Sequence, residues 1–509
     1  MAQARDRRWA WTVGPHRRSR SGKRSRLIEI EFQFRESNQP ADGSINFASP
    51  CRLLLLPLLL ALLTAALRAQ ENPPGSNPPP DAPPAHDTFF EHSQTAKWWV
   101  SGQANFIFQA NGDFYAQYSG PNSFNNRAAT ALSRVLTLFT GYEFTPNSQV
   151  YLNVEETGGD GLSSALGLAG FFNLDVVRNP SIGQKPYIAR LFWQQIIPLS
   201  SEKMESERTP LSLPTQLPVK RLSFRFGKFS IADFFDNNVG GTDSHFQFLN
   251  WVIDNNGGYD YAADTRGYTV GAIVEYDDRN WSLRFAEALM PKVANGPNLD
   301  ADVARARAEN IELELRPQLA KNKETTVRLL SYVNHANMGD YEEAVRLYLN
   351  HVTPTPDVIA TRKQGTIKYG FGINFEQEFV KDAYVFGRWG WNEGKHESFA
   401  YTEDNEAVEL GAYARGTNWG RSLDRAGAAF VSSGLSKAHQ AYLADGGLGF
   451  LLGDGALNYG RETIEEVFYT AHVWRGLFLG GDVQHVNNPG MNRARGPFTV
   501  PGVRLHLEF

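Results

Sequence analysis

From Trp98 to Phe509 the chain is written in twos. At its carboxyl end Val503, Leu505, Leu507 and Phe509 share one face while Arg504, His506 and Glu508 share the other, the period of a β-strand. Taken alone, that strand fits a soluble sandwich as well as a membrane barrel. As an open edge in water it would invite aggregation, whereas one oily and one charged face suit a wall between lipid and a wet lumen. The same alternation recurs along the chain, as Val150, Leu152 and Val154 in 149–155 and as Leu222, Phe224 and Phe226 against Arg221, Ser223 and Arg225 in 220–229.

The connections decide between the two. Strands are expected at 98–109, 133–144, 149–155, 187–197, 220–229, 268–276, 281–288, 309–316, 325–333, 366–379, 383–391, 407–414, 425–431, 462–473, 477–486 and 503–509. Tight turns at 145–148, 277–280, 317–323, 380–382, 416–422 and 475–476 alternate with long irregular stretches at 111–131, 158–184, 230–266, 334–364, 432–460 and 487–497; a Pro-rich connection runs over 200–219. Within 334–364, residues 341–348 have a helical pattern. About sixteen strands, an even number, predict an all-β protein: a transmembrane antiparallel β-barrel with long extracellular loops, some folded into the lumen. Short turns belong to the periplasm and long loops outside, so every long insertion, 200–219 included, is expected on the extracellular side. A soluble multi-domain chain of this length gives no reason for that alternation.

Composition agrees. The 509 residues hold 46 glycines and 12% aromatics, and a formal charge of −5 from interspersed acids and bases gives no footprint for nucleic acid. The one cysteine, Cys51, precedes the apolar run 53–67, which reads as a secretory signal cleaved near Ala66 or Ala69. Residues 1–69 are therefore an N-terminal extension plus signal peptide, 70–96 a Pro-rich periplasmic linker and 97–509 the barrel. The mature chain then has no intrachain disulfide and no cysteine metal site.

With the oily register toward lipid, the lumen receives Glu155, Arg190, Arg221, Arg225, Arg284, Glu312, Glu314, Arg316, Arg388, Glu409, Arg415, Asp482 and Arg504, all expected to face water. The arginines either pair with the glutamates across the wall or form a ladder of guanidinium forks for solute oxygens. The 230–266 insertion sets Trp251 among Asp243, His245, Asp254, Asn255 and Tyr259-Asp-Tyr261, a mixture that suits a sugar ring or simply packs the loop. Sixteen strands enclose a channel too wide to select small solutes, so 230–266 is expected to fold inward, burying Phe246, Phe248 and Trp251, with 334–364 the next candidate. No Ser-His-Asp or metal-ligand spacing appears, and His245 and His485 stand alone; the Gly-rich runs 446–455 and 158–161 lack the context of a phosphate loop. Neither an enzyme nor a cofactor is expected.

Two blocks closely resemble the carbohydrate-selective porins of the OprB family. One is 438–460 followed by Glu462, Glu466, Gly481-Asp-Val-Gln484, Asn488-Pro-Gly490, Asn492-Arg493, Arg495-Gly-Pro497 and 504–509; the other is Phe235-Asp236, Phe248-Leu-Asn-Trp251, Tyr259-Asp-Tyr261, Thr265-Arg-Gly267, Val274-Glu-Tyr276 and Trp281-Ser-Leu-Arg284. Residues 1–87 lie outside the resemblance. It implies a sixteen-stranded outer-membrane barrel of a Gram-negative bacterium, with inward loops narrowing an Arg- and Glu-lined channel for mono- and oligosaccharides. Expected partners are small carbohydrates, outer-membrane lipid and the barrel-assembly machinery, which would read the strand ending at Phe509; no nucleic acid is expected, and the barrel is a monomer or trimer. Candidate pore-lining and sugar-binding residues are Arg190, Arg221, Arg225, Trp251, Asp254, Asn255, Arg284, Glu312, Arg316 and Arg388. The alternatives are a general or anion-biased porin, an outer-membrane hydrolase on a barrel scaffold, which would need a Ser/His pair that is not evident, and an envelope tether, for which no wall-binding module is evident.

Overall fold

The computed structural model describes residues 87–177, 184–319 and 323–509, all within the unit Ser49–Phe509. The expected extension, signal peptide and most of the linker lie outside the described residues, as do parts of the 158–184 loop and the 317–323 turn.

Sixteen strands close into one antiparallel barrel. In chain order they are β1 (Trp98–Asn111), β2 (Ala129–Thr145), β3 (Ser148–Gly159), β4 (Tyr187–Pro198), β7 (Arg221–Phe229), β8 (Thr269–Asp277), β9 (Trp281–Leu289), β10 (Arg307–Leu315), β11 (Thr325–Met338), β12 (Lys363–Val380), β13 (Ala383–Asn392), β14 (Glu406–Arg415), β15 (Arg425–Gly434), β16 (Glu462–Trp474), β17 (Leu477–Asn487) and β18 (Phe498–Glu508). Two short strands, β5 (Lys203–Glu205) and β6 (Gln216–Pro218), make a separate hairpin. The barrel closes where β18 pairs with β1, Phe106 opposite Leu505, so the terminal strand has partners on both sides and no open edge.

The alternation governs which way side chains point. Along β12, Ile367, Tyr369, Phe371, Ile373 and Phe375 are exposed while Lys368 and Asn374 between them are fully buried. Leu132, Leu136 and Leu138 on β2, and Val503 and Leu505 on β18, continue the same outward belt. A continuous apolar band of this extent is unstable against water and belongs against hydrocarbon. No helix among the described residues is long and apolar enough to cross a membrane, so any crossing falls to the strands.

At one end of the barrel lie the chain terminus and tight turns. The β16–β17 turn is two residues long: Arg475 adopts φ 42°, and a Cβ on Gly476 would stand 2.0 Å from the Glu508 carbonyl oxygen, so only glycine fits there. At the other end lie the long loops, including helix Tyr341–Leu349, whose Tyr341 ring stacks at 4.2 Å on His439 of helix Lys437–Ala444. One expectation is overturned. The connection between β4 and β7, which carries the β5–β6 hairpin, leaves and re-enters the barrel at the end of the tight turns, not with the long loops. Strand parity requires this, because each antiparallel crossing reverses the end at which the chain emerges.

Candidate functional site

A loop threaded through a barrel brings backbone N–H and C=O groups that need partners away from bulk water. The 230–268 loop finds them on the inward side chains of the wall. Glu466 on β16 accepts from the Leu249 and Asn250 amides at 2.5 and 3.1 Å, and Glu312 on β10 accepts from the Asp236 amide at 2.7 Å. Lys368 on β12 meets Asp260 at 3.0 Å, and Arg504 on β18 donates to the Ser244 and Gln247 carbonyls. Arg388 on β13 donates to the carbonyls of Ile253 at 2.9 Å and Asp236 at 3.0 Å, and to that of Gly241, while pairing with Glu409 at 3.3 Å. Near Gly258 the loop lies directly on the wall: a Cβ there would stand 2.4 Å from the Gly390 carbonyl carbon.

The expected inward burial is present, with Phe248 and Trp251 buried and Phe246 half-buried, its ring edge-on to Phe478 at 4.9 Å. A second loop joins it. Phe171 and Phe172, also buried, belong to the 160–186 connection; the Trp251 amide donates to Phe171 O at 2.9 Å and its indole Nε1 donates to Asn173 O at 2.9 Å. Gln484 and Gln109 hold Phe172 O from the wall, and Glu462 accepts from the Gly170 amide at 2.9 Å.

Within the lumen lies a cavity of about 1170 Å³. Four of the ten candidate residues line it: Arg190, Trp251, Asp254 and Asn255. Arg190 is held by Asp233 in a two-pronged pair, Nε to Oδ2 at 2.8 Å and Nη2 to Oδ1 at 2.5 Å. Trp251 stacks at 5.8 Å and 16° on Tyr401, which in turn packs against Tyr261 at 4.9 Å, and all three rings border the cavity. Asp254 caps this group: its Oδ2 accepts from Asn255 Nδ2 at 2.8 Å, while its buried Oδ1 has no partner among the described residues. Burial, with Asp243, Asp175 and Glu409 as like charges, pushes the Asp254 carboxyl well above the usual range; Arg388 opposes the shift.

The other six candidates do not border that cavity: Arg221, Arg225, Arg284, Glu312 and Arg388 sit in wall strands and Arg316 directly follows β10. Arg225 pairs with Glu275 at 2.7 Å, and Arg284 with Glu275 at 2.8 Å, Glu312 at 2.5 Å and Glu314 at 3.2 Å. Arg221 meets Asp277 at 2.9 Å and Arg316 meets Glu314 at 2.6 Å. Of the two readings left open for these arginines, pairing across the wall is the one observed. The expectation that the inward charges face water needs correcting: Glu312, Arg388, Glu409, Asp482 and Arg504 point inward but are buried, because the two loops cover them.

Several cavity residues had no signal in the sequence. Tyr401 comes from the β13–β14 loop, Asp175 from the 160–186 loop and Arg425 from β15, where it lies over the Phe246 ring at 3.8 Å and meets Asp243 at 3.3 Å. His245 is not alone; its ring nitrogens lie 3.7 Å from Asp175 and 3.8 Å from Asp243.

A closed sixteen-stranded barrel with an apolar belt and inward loops around an open cavity defines a porin. The family profile described as "Carbohydrate-selective porin, OprB family" matches residues 129–509, and the chain belongs to that family. A high-pH structure of Pseudomonas putida OprB superposes with TM-score 0.60 at 14% identity, covering 81% of this chain and 94% of that one. A low-pH structure of the same protein gives TM-score 0.43 at 11% identity over 81% and 93%, and the outer membrane channel DcaP of Acinetobacter baumannii gives 0.42 at 9% over 83% and 100%. No curated protein matches the sequence. The protein is thus an outer-membrane porin for carbohydrates, a channel of Gram-negative type.

Proposed function

We propose that this porin selects its sugars in the chamber under the 230–268 loop, where Trp251, Tyr261 and Tyr401 offer ring faces and Asp254 and Asn255 offer polar heads. The observation that carries the reading is the stacked Trp251–Tyr401 pair bordering the same cavity as Asp254 and Asn255. A pyranose presents C–H faces to rings and hydroxyls to polar groups, so both needs are met in one place. Arg190 supplies a fixed guanidinium at the same cavity, whereas Arg221, Arg225, Arg284, Glu312, Arg316 and Arg388 act by holding the wall and the loop.

The cavity lining argues against an anion-biased channel, because it carries ten carboxyl groups against five arginines. Passage is by diffusion, without catalysis. Residues 1–69 serve as extension and export signal and 70–96 as periplasmic linker, a reading supported by the apolar run and the prolines. The C-terminal strand ending at Phe509 is the signal for the barrel-assembly machinery, and the barrel works as a monomer or trimer, each copy holding its own lumen.

Liposome swelling tests the reading. Purified protein is expected to speed swelling in glucose and maltose over protein-free vesicles, and Trp251→Ala with Asp254→Ala to reduce it. Swelling no faster than in protein-free vesicles would reject sugar transport, and unchanged swelling in the double variant would move the selecting site elsewhere.

A further inference from the structure

The β5–β6 hairpin stands at the end of the barrel where other strands are joined by turns as short as 146–147 and 475–476. A free two-stranded hairpin is marginal in water, so one that keeps a fixed place must be pinned. This one is pinned at several points. The buried Arg208 guanidinium donates to the carbonyls of Ala96 and Trp98 and lies over the Trp99 ring at 5.8 Å, which ties the hairpin to the start of β1. Leu213 is buried against Tyr151 and Gly141, its amide donating to the Tyr151 hydroxyl at 3.2 Å, which ties it to β3 and β2. At its root Lys220 meets Asp278 at 3.1 Å.

Between these pins, residues 206–211 border the same cavity as Trp251 and Asp254. Arg415, Ser422 and Leu423 border it too, from β14 and the turn that follows, and β14 stands eight places from β4 in the ring of sixteen, on the opposite wall. Asp87, Glu91 and His92 also reach it, with the His92 ring stacked at 4.4 Å on Trp99. The lumen is therefore narrowed from both ends: by the 230–268 and 160–186 loops from one side and by this hairpin from the other.

We propose that the 199–220 connection is a second selectivity element, a bar across the periplasmic mouth that sets the largest solute the channel releases, with Glu207 and Arg208 at its lumen edge. This rests on the channel reading alone and not on which sugar binds. A pore with two constrictions in series passes only what clears both, so removing either raises conductance.

The test replaces residues 202–218 by a two-residue Asn-Gly turn, with folding checked by β-sheet circular dichroism and heat-modifiable gel mobility. Single-channel conductance in potassium chloride is expected to rise about twofold or more, and oligosaccharides excluded by the parent are expected to enter in liposome swelling. Unchanged conductance in the folded variant overturns the proposal. Should that variant not fold, Glu207→Cys in a Cys51→Ser background decides: a bulky cationic thiol reagent added from the periplasmic side is expected to cut the current, and an unaffected current overturns the proposal.

Discussion

Arg388 is the side chain on which the placement of the constriction can be tested most sharply. Its guanidinium is buried on β13 and gives hydrogen bonds to three loop carbonyls, those of Asp236, Gly241 and Ile253, while facing Asp236 Oδ2 at 3.4 Å and Glu409 at 3.3 Å. Arg388→Ala removes every one of these donors and leaves two buried carboxyls without their cation. Breaking a buried pair by deleting one partner costs about 3–5 kcal/mol, most of it the penalty on the groups left behind. The cost falls on the closed position of the loop, since an open loop lets water reach the stranded groups. At 1.4 kcal/mol per decade, the open population rises by about a hundredfold to several thousandfold. The loop stays tethered by Glu466 and Lys368, so the expected signature is not a uniformly wider pore but flicker between the parent conductance and a higher level. Single-channel recording reads this directly. Arg388→Lys keeps the charge and loses the fork, and is expected to flicker less than the alanine variant. A folded Arg388→Ala barrel with quiet, parental conductance would refute the claim that the wall arginine holds the loop closed.

Deleting 240–257 removes the buried centre of the loop, and is expected to raise single-channel conductance and abolish sugar block while the barrel still assembles; unchanged conductance would assign the constriction to the 160–186 loop. Trp251→Ala removes a ring proposed to face the sugar; for a ring contact of the order of an aromatic pair, about 0.5–1.5 kcal/mol, the sugar concentration for half block should rise about two- to twelvefold; an unchanged blocking constant would leave Trp251 a packing residue. The Asp254 carboxyl, pushed up by burial, is neutral at acid pH and ionises only above the ordinary carboxylate range. The preference for cations, read as a reversal potential, should therefore grow as pH rises, and should grow less in Asp254→Asn; identical pH profiles would remove Asp254 from the conduction path. The same shift carries a stability sign: a carboxyl raised on folding stabilises the fold below its unfolded pKa and loses that contribution as pH climbs through the folded one. Asp404, raised by burial to about 7, has the same sign, so the loops should be held most firmly below about pH 4 and loosen progressively as pH climbs toward about 7. Hydrogen exchange of the 251–258 amides at pH 5 and 8 checks this, with equal protection counting against it.

How far the sequence reached differs between wall and interior. The strand pattern was legible because lipid on one side and a polar interior on the other impose a period of two that each segment carries by itself: Leu222, Phe224 and Phe226 announce their face without reference to any other strand. The inward folding of 230–268 was legible for a similar reason, since Phe248 and Trp251 have nowhere else to hide from water. Parity of the antiparallel crossings was also present in the strand order, and applying it to 200–219 places that segment among the turns.

The rest was settled by contacts across the lumen. Arg190 and Arg284 both read as inward arginines, yet Arg190 borders the open cavity and Arg284 is enclosed by Glu275, Glu312 and Glu314, a difference set by neighbours on separate strands. Tyr401 and Trp251 lie 150 positions apart and meet only because two loops descend from different parts of the rim. The sequence by itself determined the alternation, and with it the barrel and the side that faces lipid, because those follow from local period and solvent. Only the tertiary structure decided which inward charges bind loop backbone, which rings stack and where the lumen stays open, because each depends on partners that no local pattern brings together.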